Sequence, residues 1–211
     1  MEQGTQLREL CNRINLIDVA KIFIVFHSEY GNTAMVANIV ATQLRNRGAY
    51  VETFPVEEIS GKLEKLMEAD TILFGTPTRF GNVSAPFKQF MENTGRFWYK
   101  QPWRNKLAAG FTVSSTTNGD KLNTLIALAL FAAQHGMIWI PLGVLPRFIN
   151  DQQTDGQNRL ASYIGFMGQC GNGQAPSEIH PGDQLTAELF ADHILEVTLL
   201  HKNQKQENDK K

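Results

Sequence analysis

A chain of alternating strands and helices around a parallel sheet is the α/β fold that these 211 residues predict. Three observations carry it. Short apolar runs alternate with helix-period segments, the clearest run is apolar on both faces, and polar loops follow three of the strands. The length suits one domain with a sizeable core of its own.

Residues 1–20 read as an extension with one short amphipathic helix carrying Leu7, Leu10, Ile14 and Ile17. The first strand is Lys21–Phe26, whose sequence KIFIVF is that of a strand buried on both sides. A helical pattern runs from residue 32 to about 47, where Gly48 offers a C-cap. Residues 49–54 form the second strand and 57–67 the second helix. The third strand, 71–74, is halted by Gly75-Thr76-Pro77. Residues 83–92 are helical, with Pro86 tolerated in the first turn. The fourth strand is 107–113, the next helix Lys121–Gln134, and residues 137–141 open the fifth strand. A Gly- and Asn-rich stretch follows from 150 to 181 with weak periodicity. The last helix is 186–200, and residues 202–211 form a disordered polar tail. One domain therefore spans residues 21–201.

Composition narrows the function. Hydrophobic residues make up 42% and charged residues 19%, as in a globular chain. Twenty basic against 21 acidic residues leave a net charge of −1, which argues against a broad nucleic-acid surface. The two cysteines, Cys11 and Cys170, have no metal-ligand spacing; they read as packing residues in a reducing cytoplasm. No metal site, membrane span or signal peptide is expected.

In parallel sheets ligands bind at the carboxyl ends of the strands, beside a topological switch point. After strand one come Ser28, Glu29, Tyr30, Gly31, Asn32 and Thr33, which lead straight into a helix. A helix start with hydroxyls around it cradles a phosphate, or merely caps the helix. The Walker lysine and the three-glycine dinucleotide fingerprint are both missing. After strand three come Pro77, Thr78, Arg79, Phe80, Gly81 and Asn82, a rigid loop with an apolar surface and a cation for a flat ring. After strand four come Ser114, Ser115, Thr116, Thr117, Asn118 and Gly119, able to hydrogen-bond a sugar-like chain or a ring edge. Three polar loops on one sheet edge imply a ligand with a phosphate, a linker and a flat ring, which describes FMN.

These runs, with Thr94-Gly95, Trp98 and His135-Gly136-Met137, resemble the WrbA flavoproteins, which are NAD(P)H:quinone oxidoreductases. The similarity is continuous over about residues 21–147. It implies a flavodoxin-like three-layer fold with a five-stranded parallel sheet in the order 2-1-3-4-5. That FMN lies beside strands one and three is inherited from the switch-point rule, for which flavodoxin is itself a standard example. The resemblance further implies that Ser28 to Thr33 bind the FMN phosphate, that Pro77 to Asn82 line its ring, and that Ser114 to Gly119 hold its ribityl and pyrimidine side. Tyr30, Trp98 and His135 would meet NAD(P)H or quinone, and Arg79 and His135 would stabilise negative charge. No side chain is expected to be catalytic, because the flavin carries the chemistry. A homodimer or homotetramer is implied, with Phe97, Trp98, Tyr99 and Trp103 as interface candidates. The chain departs from the family at Asn32, where a His is common. It also has Thr117-Asn118-Gly119-Asp120 in place of a glycine-rich run.

Two other functions fit the same fold: a flavodoxin-type one-electron carrier and a non-enzymatic FMN-binding regulator. Carriers tend to be strongly acidic, and this chain is nearly neutral. In flavodoxins a loop peptide turns its carbonyl toward the protonated flavin N5, usually with the help of a glycine. Here the first glycine after Pro77 is Gly81.

Overall fold

Alternating burial along the first strand sets the layers. In β1 (Lys21–Phe26), Ile22 and Ile24 enter one apolar cluster while Phe23 and Val25 enter a second, on the other side of the sheet. The computed structural model describes residues 19–147, 156–171 and 178–209. It places β1 between β2 (Tyr50–Pro55) and β3 (Thr71–Pro77), followed by β4 (Leu107–Ser114) and β5 (Ile138–Trp139). Every pairing is parallel and the order β2-β1-β3-β4-β5 is the expected one.

The fifth position is shared by two segments. β5 pairs only with Leu107 and Ala108 of β4, while β6 (Phe166–Gln169) pairs with Phe111 to Ser114. Because β3 occupies the other edge of β4, both lie in one lane. Two contacts tie the excursion between them to the sheet: the Trp139 indole donates to the Ile164 carbonyl at 2.7 Å, and the Leu142 amide to Tyr163 at 2.9 Å. Where the chain returns, a Cβ on Gly165 would stand 2.5 Å from the Gly110 carbonyl oxygen, so only glycine fits.

Helices cover both faces. α1 (Asn32–Asn46) and α6 (Pro181–Asp209) pack on one side. α2 (Val56–Ile59), α3 (Ala85–Asn93), α4 (Gly95–Lys100) and α5 (Lys121–Gln134) pack on the other. Gly48, at φ 90°, closes α1 as expected: its amide reaches the Arg45 carbonyl and that of Ala49 reaches Leu44, the two bonds of a Schellman end.

Several elements differ from the sequence reading. β6 adds a sixth strand to the expected five, α4 is a helix that was not expected, and β5 is only Ile138–Trp139 where 137–141 was expected. β3 does not halt at Gly75 but runs through Pro77, because Gly75 leaves the space that the Phe111 ring fills; a Cβ there would be 2.1 Å from it. The expected 57–67 helix is one turn of α2 followed by a 3₁₀ turn, Leu63–Glu68. α6 begins earlier and continues to Asp209, where a disordered tail was expected from residue 202. Tertiary anchors extend it: Lys202 Nζ donates to Asp70 at 2.7 Å, and Lys205 Nζ to the Asn105 carbonyl at 3.2 Å. The helix expected within residues 1–18 lies outside the described residues. No helix among the described residues is long and apolar enough to cross a membrane.

Candidate functional site

A parallel sheet sends every strand-to-helix loop to the same edge, so the three polar loops meet at the carboxyl ends of β1, β3 and β4. β1 connects on one side to β2 and β3 lies on its other side, which places a switch point between β1 and β3.

In the first loop, Gly31 takes φ 86° and turns the chain into α1. Ser28 Oγ accepts the Ala34 amide at 3.0 Å, and the Gly31 carbonyl accepts that of Met35 at 2.8 Å. The amides ahead of these lie at the positive end of the helix dipole, which favours a phosphate. Ser28, Glu29, Tyr30, Asn32 and Thr33 line a cleft there, with Thr33 buried in its wall.

The second loop is a tight hairpin. The Arg79 and Asn82 main chains exchange both hydrogen bonds, at 2.9 and 3.0 Å, around Phe80 (φ 48°) and Gly81 (φ 73°). Positive φ at both central residues is the type I′ pattern, and a phenylalanine there is a backbone outlier. Thr78 anchors the hairpin's root, its Oγ1 lying 2.8 Å from Thr112 Oγ1 and 2.9 Å from Thr124 Oγ1. Pro77, Thr78 and Arg79 line the cleft, while Phe80 projects fully into solvent at its rim. The Arg79 guanidinium bonds Glu29 at 2.7 Å and lies 5.3 Å from the Tyr30 ring centre, bridging the first two loops. It also neutralises a carboxylate beside the helix start.

Ser114 and Ser115 of the third loop line the cleft; Thr116 and Gly119 are not in its lining, and Thr117 and Asn118 line a neighbouring pocket with Leu122 and Tyr163. Asn123 of α5 donates to the Gly81 carbonyl at 2.6 Å and ties the third loop's helix to the hairpin. A fourth segment, missed in the sequence, completes the wall: Cys170 and Gly171 follow β6, and the Cys170 amide donates to the Ser114 carbonyl at 3.1 Å. Cys170 is a buried free thiol, as its packing role required.

The cleft has a volume of about 110 Å³. That suits a phosphate and the start of its chain. Hydroxyls and helix-start amides are the right donors for a phosphate monoester, so the residues present fit FMN.

His27, just before the first loop, was also missed. Its Nδ1 lies 2.8 Å from Ser84 Oγ, which is 3.1 Å from Thr76 Oγ1, so one buried chain couples β1 to both ends of the hairpin loop. Burial lowers its pKa, with Glu57 and Glu29 opposing and Arg79 adding to the effect.

Trp98 and His135 stand apart from this chain's own cleft. α5 starts at the cleft and its 14 residues carry the chain back roughly 20 Å, to the amino end of β4. There His135 Nε2 lies 2.9 Å from Thr94 Oγ1, and its ring packs tilted against Trp103 at 4.6 Å and edge-to-face with Phe131 at 4.8 Å. Burial lowers its pKa to about 4, so it is neutral at physiological pH and supplies no cation. Phe97 and Trp103 fill the core, leaving Trp98 and Tyr99 of α4 exposed.

Residues 20–146 match the family model described as NADPH-dependent FMN reductase. Flavodoxin FldP of Pseudomonas aeruginosa is 32% identical over 183 residues, covering 85% of this chain and 97% of the relative. An NAD(P)H dehydrogenase (quinone) of Archaeoglobus fulgidus is 35% identical over 147 residues, covering 59% of this chain and 77% of the relative. The crystal structure of a flavodoxin, WrbA-like protein from Agrobacterium tumefaciens superposes with a TM-score of 0.67 at 32% identity. It covers 86% of this chain and 99% of its own.

Proposed function

The chain belongs to the NADPH-dependent FMN reductase family and to its WrbA group, and from that membership we propose that it is an FMN-dependent oxidoreductase passing electrons from NAD(P)H to quinones. The observation that carries the reading is the convergence of three strand-end loops on one cleft with phosphate donors inside and an open apolar rim. When bound, FMN supplies two-electron chemistry between the two substrates. Ser28, Asn32 and Thr33 hold its phosphate, and the Thr78-anchored hairpin supports the ring. The Arg79–Glu29 pair is exposed and therefore weak, so Arg79 can leave Glu29 for a negative charge developing at the rim. One open rim serves both substrates in turn. A reducing cytoplasm suits the free thiol of Cys170.

The direct test is steady-state oxidation of NADH and NADPH by the FMN-loaded protein with benzoquinone as acceptor. Turnover with quinone, absent without FMN, is the expected result; a protein that binds FMN but oxidises neither nucleotide is not an oxidoreductase of this kind. The relative named as a flavodoxin favours a second reading, a one-electron carrier.

We also propose a homodimer or homotetramer. Trp98 and Tyr99 on α4, and Leu122, Ile126 and Leu130 along one stripe of α5, are exposed apolar residues that a second copy would cover. Since Trp98 lies far from its own cleft, it reaches a substrate only across such an interface. Light scattering of the FMN-loaded protein at micromolar concentration is expected to give a multiple of the 23.7 kDa chain mass. A single-chain mass sinks this proposal and leaves Trp98 no role at a cleft.

A further inference from the structure

Lys121, the first residue of α5, is completely buried. Lysine is almost never fully buried unless paired, and a helix start repels a cation. The ammonium is spent on the third loop: it donates to the carbonyls of Thr116, Thr117 and Asn118, the latter two at 3.2 and 3.1 Å. Those three residues are themselves exposed, so the loop forms a lid over the ammonium. In a trans peptide the carbonyl and the N–H point in opposite directions. Drawing three carbonyls inward therefore turns the amides of Thr117, Asn118 and Gly119 outward. Among the described residues no acceptor takes them. The loop has no slack to turn otherwise: Gly119 sits at φ 55°, and a Cβ there would stand 2.6 Å from both Ser114 Oγ and Thr116 Oγ1.

We propose that Lys121 is a positioning residue that aims three consecutive loop amides at the electron-rich edge of the bound ring and keeps its own positive charge behind them. The proposal rests on the FMN reading of the cleft. A nest of amides backed by a buried cation stabilises negative charge on whatever lies against it.

The pH dependence separates this role from a merely structural one. Burial lowers the Lys121 pKa to about 8, with Asp183 of α6 opposing, Arg159 adding to the effect, and Cys170 a weak opposing neighbour. The Cys170 thiol, raised by burial to about 11, stays neutral in this range. A folded value below the ordinary 10.5 means that the unfolded chain holds this proton more tightly. The apoprotein therefore gains stability from this group as pH rises from about 8 toward 10.5. Ligand affinity moves the other way, because the ammonium that shapes the loop is lost over the same range.

The test is the affinity of the full chain for FMN and for riboflavin, measured by flavin fluorescence quenching between about pH 7 and pH 9. In the wild type both ligands are expected to weaken by about tenfold across that range, following the protonated fraction of Lys121. Lys121→Met is expected to bind both about tenfold more weakly at neutral pH, with the FMN-to-riboflavin ratio unchanged and the pH profile flat. Wild-type affinity in Lys121→Met overturns the proposal, and so does a flat wild-type profile, which needs no variant to fold. A wild type that binds neither flavin removes the FMN reading and this proposal with it.

Discussion

Thr33→Glu is expected to weaken FMN binding about a thousandfold while leaving riboflavin affinity within a few-fold of wild type. Thr33 is buried in the cleft wall on the first turn of α1, where helix-start amides would collect the phosphate. A carboxylate about 4 Å from a phosphate charge, at the effective dielectric near a protein surface, costs about 4 kcal/mol. That is roughly three decades in a dissociation constant. Riboflavin lacks the phosphate and escapes the repulsion. Thr33→Val removes only the hydroxyl at nearly constant volume and is expected to cost about 1 kcal/mol with FMN, roughly fivefold. Calorimetry with both flavins checks all three values. An unchanged FMN affinity in Thr33→Glu, or an equal loss of both flavins, removes the phosphate from the first loop.

The cleft was readable because its determinants are local. Each loop follows its strand directly, and a parallel sheet forces all such loops to one edge, so naming the strands brought the three loops together, although only Pro77, Thr78 and Arg79 of the second and Ser114 and Ser115 of the third line the cleft with the first. Long-range determinants were not readable. Cys170 and Gly171 enter the wall only because β6 pairs with β4 after a long excursion, and no local signal specifies that pairing. Lys121 looks in sequence like a solvated helix start; only the loop folded back over it makes it a buried cation. Trp98 and His135 match the family motif by their flanks, but motif matching carries no distance, and α5 is long enough to move His135 to the far edge of the sheet. The extended α6 was missed for a similar reason: its polar last turns are held by Asp70 and the Asn105 carbonyl, distant in sequence. Composition read those turns as a tail.

Reductive titration of the FMN-loaded protein is expected to take up two electrons with almost no one-electron stage, and the hairpin after β3 is the reason. A carrier must hold that stage by turning a loop carbonyl toward the flavin N5–H. Flipping the central peptide of a type I′ turn gives type II′, whose first central position is suited to glycine. That position here is Phe80, already at φ 48°. The flip leaves it at positive φ with an extended ψ, a region essentially reserved for glycine, at a cost of about 1–3 kcal/mol. The peptide before the hairpin is no freer: the Thr78 amide is bonded to the Val113 carbonyl at 2.9 Å and that of Arg79 to Asn82 at 2.9 Å. Against the flip alone, the one-electron stage is disfavoured roughly fivefold to more than a hundredfold. Phe80→Gly removes the obstructing Cβ and leaves both hairpin bonds in place. Anaerobic photoreduction is therefore expected to bleach the wild type directly, while Phe80→Gly passes through a visible red-absorbing stage at least several-fold more populated. A wild type that accumulates that stage is a one-electron carrier, and the quinone reading is withdrawn. If neither protein shows it, two-electron behaviour stands but the hairpin is not its cause.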